Sequence, residues 1–101
     1  MENAAVYVEE FVASDAMTAE AAEDLAAVAG RYTSRITVSS NGHTVQALVL
    51  PYCWTDLRIV SGSTISVTAA SGYRPPDFED RRALRDFVSR FRSPISDTAD
   101  P

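Results

Sequence analysis

YTSRITVSSNG, residues Tyr32 to Gly42, alternates apolar and polar side chains and then ends on the strongest hairpin signal in the chain. Ile36 and Val38 take one face and Thr37 and Ser39 the other, the two-residue period of a half-buried strand. Asn41-Gly42 follows, and both residues accept the positive φ that a tight two-residue turn demands. A return strand is therefore expected over His43–Val49, antiparallel to the first, with Val45, Ala47 and Val49 facing inward.

Upstream, AAVYVEEFV (Ala4–Val12) reads as a strand in which Val6 and Val8 alternate with Tyr7 and Glu9. Phe11 is out of phase with the valines, which suits a position past the strand end or at a bulge, and the inward face is left open there. From Thr18 to Ala29 the period changes to that of a helix, with Ala22, Leu25, Ala26 and Ala29 on one side and Glu20, Glu23 and Asp24 on the other. Thr18 is its expected N-cap and Gly30 its expected stop. Downstream, Pro51 blocks a strand interior, and a short helix or turn is expected near residues 52–58. STISVTAA alternates again, placing Ile65, Val67 and Ala69 inward and Thr64, Ser66 and Thr68 toward water. SGYRPP is a loop, and Asp77–Phe91 is the longest helix. Leu84, Phe87, Val88 and Phe91 form its stripe, with Asp77, Glu79 and Asp80 at the amino end and Arg90 and Arg92 at the other.

The chain has 101 residues, 46% of them apolar and 23% charged, which suits one folded domain and excludes a disordered or collagen-like chain. The core is expected over residues 4–92, with 93–101 a flexible tail. Cys53 is the one cysteine, so no internal disulfide forms, and a lone thiol builds no zinc site. No apolar run reaches the length of a membrane span and the first residues are acidic, so a cytoplasmic protein is expected. The net charge is −5 and all nine cations are arginine. Residues 1–30 hold seven acids and no cation, whereas residues 81–92 hold five arginines against Asp86. On a helix that pattern is an ordinary solvated basic face, and without interleaved aromatics it does not predict nucleic-acid binding.

The order strand, helix, hairpin, short helix, strand, long helix describes an α+β domain with an antiparallel sheet covered on one face. The eleven residues Tyr32–Gly42 closely resemble the stretch after the first helix of HPr, the histidine-containing phosphocarrier of the bacterial sugar phosphotransferase system. Gly62 followed by Ile65, Val67 and Ala69 is similar to the glycine-led last strand of that family. The resemblance implies an open-faced β-sandwich, a four-stranded antiparallel sheet in the order 1-4-2-3 with three helices on one face.

The departures bear on function. The family carries its phosphoryl group on a histidine at the N-cap of the first helix, followed by an arginine and a proline. The corresponding stretch here is AMTAEAA, with Thr18 in the place of the histidine, Glu20 in that of the arginine and Ala21 in that of the proline. The only histidine, His43, directly follows Asn41-Gly42 and is expected as an exposed hairpin residue. A phosphothreonine is a stable ester and would stop a relay that depends on the high-energy phosphoimidazole, so Thr18 is read as a structural cap. The regulatory serine found in many members at the start of the second helix has Val49 or Leu50 as its counterpart. Cys53, with no histidine near it in sequence, is read as a small apolar residue rather than a nucleophile.

In the family, the start of the first helix and the short second helix form the docking surface for partner enzymes. The resemblance thus implies that Met17, Thr18, Glu20, Ala21, Asp24, Tyr52 and Trp54 flank a partner-binding face. Tyr52 and Trp54 either anchor a partner or cover the open end of the core. The anions around this face favour a partner with a basic or apolar surface. The reading is a non-catalytic, protein-binding or regulatory module, not an enzyme, monomeric or weakly dimeric, with no cofactor, metal, membrane or nucleic acid. The alternatives are an accessory or scaffold subunit of a specialised biosynthetic enzyme, or a residual regulator of the phosphotransferase system.

Overall fold

The computed structural model describes residues 6–72 and 76–92. The elements run β1 (Tyr7–Val12), α1 (Ala19–Ala29), β2 (Arg35–Ser40), β3 (His43–Gln46), a 3-10 turn (Ala47–Val49), α2 (Leu50–Leu57), β4 (Thr64–Ala70) and α3 (Pro76–Arg92). The four strands form one antiparallel sheet in the order β1-β4-β2-β3. One face packs under the helices, giving the α+β sandwich implied by the resemblance. The expected strand start at Ala4, part of the SGYRPP loop and the tail at 93–101 lie outside the described residues.

The inward rows meet in register. Val38 pairs with Val67 on one side and Val45 on the other, Ile36 pairs with Ala69, and Phe11 pairs with Ile65. Asn41 and Gly42 adopt φ of 53° and 83°, the left-handed pair that lets β2 return as β3. On the open face Thr37 contacts Thr68, and Ser39 meets Thr44 at 2.7 Å, so the uncovered side of the sheet is tied by hydroxyls.

In β1 the phase of Phe11 prevails. Phe11 is buried and Tyr7 packs on the core, while Val6, Val8 and Val12 are exposed. The Phe11 ring lies edge-on to Phe91, centroids 5.2 Å apart, and Phe91 meets Phe87 at 6.2 Å. One aromatic with such contacts outweighs edge-strand valines, since edge-to-face pairs add about 0.5–1.5 kcal/mol beyond the area buried.

The return strand is shorter than expected. It ends at Gln46, and the chain then turns through Ala47–Val49 into α2, so Ala47 is buried but Val49 is exposed. Pro51 is the cause: it lacks an N–H and fixes φ, which costs little in the first turn of a helix but much in a strand. Helix α2 thus starts before residue 52 and takes the end of the strand with it. It finishes at Arg58, whose φ is 51°, and the Asn41 amide donates to the Leu57 and Arg58 carbonyls at 2.8 and 2.9 Å. One hairpin residue therefore also caps a helix.

Helix α1 is capped by Thr18 and ends at Gly30, which keeps an ordinary right-handed conformation. Its buried stripe is Ala22, Leu25, Val28 and Ala29, with Ala26 only half-buried. Helix α3 buries Leu84, Phe87 and Val88 as expected, but also Glu79 and Asp80. Glu79 accepts from the Thr33 N–H and hydroxyl, both at 2.6 Å. Asp80 Oδ1 accepts from the Ser34 hydroxyl at 2.6 Å and the Gly72 N–H at 2.8 Å. These acids fasten the start of α3 to the chain entering β2 and the chain leaving β4. Among the described residues no helix is long and apolar enough to cross a membrane.

Candidate functional site

The start of α1 is held by backbone bonds to the segment after α2. The Ala13 N–H donates to Ser63 O, Gly62 N–H to Ala13 O, and Met17 N–H to Ile59 O. Thr18 is extended, and its hydroxyl accepts the Ala21 N–H at 3.1 Å while its carbonyl accepts from Ala22 N–H at 3.0 Å. One otherwise orphaned amide of the first turn is satisfied in this way.

Contacts at the two ends of α1 fix the direction of α2. Met17 lies against Ile59, beyond the end of α2, whereas Leu48, before its start, lies close to Gly30 at the end of α1. The two helices are therefore antiparallel neighbours. Tyr52, in the first turn of α2, is set apart along the helix pair from Thr18.

The residues implicated by sequence differ in what they present. Thr18 and Glu20 are exposed, Ala21 is half-buried against the core, and Tyr52 is 86% exposed. Trp54 is half-buried on the core, and Cys53 is half-buried beside it in the chain. Met17 is 7% exposed and belongs to the core cluster, so it is no exposed anchor. Its N–H is bonded to the Ile59 carbonyl, and its side chain is buried in the core. Asp24 is exposed but already paired, its Oδ2 2.5 Å from Arg90 of α3. Such a half-exposed pair contributes little stability but reduces the acidity of this face. Leu48, Val49 and Val60 add exposed apolar surface around α2. Reading 47–49 as strand turned Val49 inward and so hid it, whereas Leu48 already faced outward in that alternation.

His43 is exposed at the start of edge strand β3, paired in the ladder with Ser40. The turn before it is fastened to Leu57 and Arg58, and Ile59 is fastened to Met17, so residues 57–59 lie between the hairpin and the start of α1. No cluster of three or more His, Cys, Asp or Glu suited to a metal ion occurs among the described residues.

At the far end of the helical layer, Tyr32 donates its hydroxyl to Asp86, and the phenol pKa is raised. Burial is the main cause, followed by the hydrogen bond and the charge of Asp86, and nearby Arg82 and Arg31 oppose it.

No protein-family model matches this sequence, and no curated protein matches it. Solved structures do. The phosphocarrier protein HPr from Bacillus anthracis superposes with a TM-score of 0.71 at 21% identity, over 86% of this chain and 98% of that one. HPr-C-His from Thermoanaerobacter tengcongensis gives 0.67 at 17% identity, over 88% and 92%. The histidine-containing phosphocarrier protein of Mycoplasma gives 0.63 at 17% identity, over 89% and 100%. At these identities the likeness is one of fold, and the chain has the open-faced α+β sandwich of the HPr phosphocarriers.

Proposed function

We propose that this protein is a non-catalytic, HPr-like binding or regulatory module that does not carry phosphohistidine. The observation that carries the reading is the occupant of the α1 N-cap: Thr18, with its hydroxyl engaged by the Ala21 amide and Glu20 two residues on. A threonine there supplies a cap but no nucleophilic ring nitrogen, and a carboxylate beside it repels an incoming phosphoryl dianion. The chain's one histidine, His43, opens edge strand β3 and does not occupy the α1 cap.

The module acts in the cytoplasm by binding a protein partner at the α1–α2 face. Exposed Tyr52, Leu48 and Val49 supply apolar contact, and Glu20 and Glu23 supply negative charge, so the partner presents a basic or apolar surface. Phosphoenolpyruvate, enzyme I of the phosphotransferase system and a radiolabel test the central statement. No acid-labile phosphate is expected on this chain, and labelling at His43 or elsewhere overturns it. Co-purification from the native host then separates a regulator of sugar transport from a subunit of a biosynthetic enzyme.

A further inference from the structure

The first half of α3 carries a second surface, opposite in charge to the first. Phe78 is 62% exposed, and two open concavities share it and Arg82 as walls. Arg31 and Tyr32 line one, and Arg81 and Arg85 line the other. The four arginines are exposed, and among the described residues no salt bridge engages them. The carboxylates that also line these concavities already accept hydrogen bonds, Glu79 from Thr33 and Asp86 from Tyr32. The result is a cationic patch around an apolar centre, on a chain whose net charge is −5.

We infer that this surface docks an acidic protein segment that carries an apolar side chain, with the apolar group on Phe78 and its carboxylates on Arg31, Arg81, Arg82 and Arg85. Charge complementarity and an exposed aromatic in the middle of the guanidinium groups support this occupant, since Arg with an aromatic is the usual anchor pair of an interface. The patch is local. Around the rest of the chain the excess of negative charge works against a long polyanion that must track past it, which favours a short acidic segment over nucleic acid. The inference is independent of the α1–α2 reading, because no residue is shared.

The probe is a fluorescein-labelled peptide of alternating glutamate and leucine, followed by anisotropy at low salt. Saturable binding is expected, weakened as salt rises. Phe78→Ala is expected to lower affinity about fivefold to tenfold, and Arg82→Gln with Arg85→Gln by more, while Tyr52→Ala leaves it unchanged. Replacing the leucines of the peptide by serine is expected to reproduce the Phe78→Ala loss. Phe78 and the arginines are exposed, so folding of the variants is checked simply by circular dichroism. The inference is overturned by absence of saturable binding, by indifference to Phe78→Ala, by tighter binding of a single-stranded oligonucleotide of equal charge, or by self-association in sedimentation that Arg82→Glu abolishes.

Discussion

Replacing Asp80 by alanine tests whether the acids at the start of α3 are structural fasteners or helix-dipole decoration. Asp80 is 1% exposed, and its Oδ1 alone accepts two hydrogen bonds, from the Ser34 hydroxyl at 2.6 Å and from Gly72 N–H at 2.8 Å. Truncation leaves a buried hydroxyl and a buried amide without a partner, at about 1–3 kcal/mol each. A carboxylate that merely faced a helix N-terminus would contribute only about 0.3–1 kcal/mol. The expected loss is therefore about 3 kcal/mol, or a fall in Tm of about 12–24 °C at roughly 4–8 °C per kcal/mol for a domain of this size. Asp80→Asn keeps an acceptor oxygen in place and loses only the charge assistance, so about 1 kcal/mol is expected. Urea unfolding followed by circular dichroism measures each variant, with an unchanged m value as the check on two-state behaviour. Because Ser34 shares the bond, Ser34→Ala and Asp80→Ala are expected to be non-additive by about 1 kcal/mol. A loss below 1 kcal/mol for Asp80→Ala, or strict additivity with Ser34→Ala, refutes the reasoning. Gly72→Ala attacks the same junction from the other side: its Cβ would sit 2.6 Å from Asp80 Oδ1 and 2.7 Å from Ser34 Oγ, so it too is expected to destabilise.

Three further outcomes follow from named contacts. Thr18→Ala removes the cap of α1 and is expected to cost about 1 kcal/mol in chemical denaturation, with Thr18→Ser close to neutral. Gly42→Ala meets no atom within 4 Å but must hold φ at 83°, so the loss is conformational, about 1–2 kcal/mol, and Gly42→Asn recovers part of it. The Tyr32 phenol is expected to ionise above its ordinary value of 10.0, read from the ultraviolet absorbance titration as the phase missing in Tyr32→Phe. Since the folded-state pKa is the higher one, this group's contribution to stability is complete below the unfolded value and declines as pH rises through the folded one. Asp86→Asn removes the carboxylate's charge and should lower that phase.

The sheet was legible because its signals are local and periodic. Ile36 and Val38 alternate, Asn41-Gly42 supplies the turn, and Ile65, Val67 and Ala69 repeat the period, and these same residues occupy the inward rows of β2 and β4. The inward face of β1 was not legible, because the decision rests on a ring contact between Phe11 and Phe91, eighty residues apart in the chain. The start of α2 was misplaced because Pro51 signals both the end of a strand and the first turn of a helix, and only packing against α1 decides how far back that helix reaches. At the docking face, residue types were readable and directions were not. Met17 and Tyr52 are both apolar neighbours of a helix start, yet one is buried and the other almost fully exposed. The Phe78 patch escaped the sequence for a related reason: Arg31 reaches it from the end of α1, beyond any spacing rule along α3.

The two proposed surfaces share one helical layer, and their relation follows from three contacts. Asp24, midway along α1, meets Arg90 near the end of α3, whereas Tyr32 and Thr33, beyond α1, meet Asp86 and Glu79 nearer the start of α3. Helices α1 and α3 are therefore antiparallel, and the exposed acids Glu20 and Glu23 lie toward one end of the layer while Arg31, Arg81, Arg82 and Arg85 lie toward the other. Arg90 answers Asp24 within the chain, so the acidic end has its own internal counter-charge, whereas at the basic end four arginines stand beside the carboxylates of Glu79 and Asp86, leaving a net positive surface. A partner steered to one end by charge is repelled from the other. The apolar part of the α1–α2 face lies near Gly30, at the same end as Arg31, so only Glu20 and Glu23 are separated from the arginines; charge reversal at Arg82 and Arg85 should abolish capture of the acidic peptide.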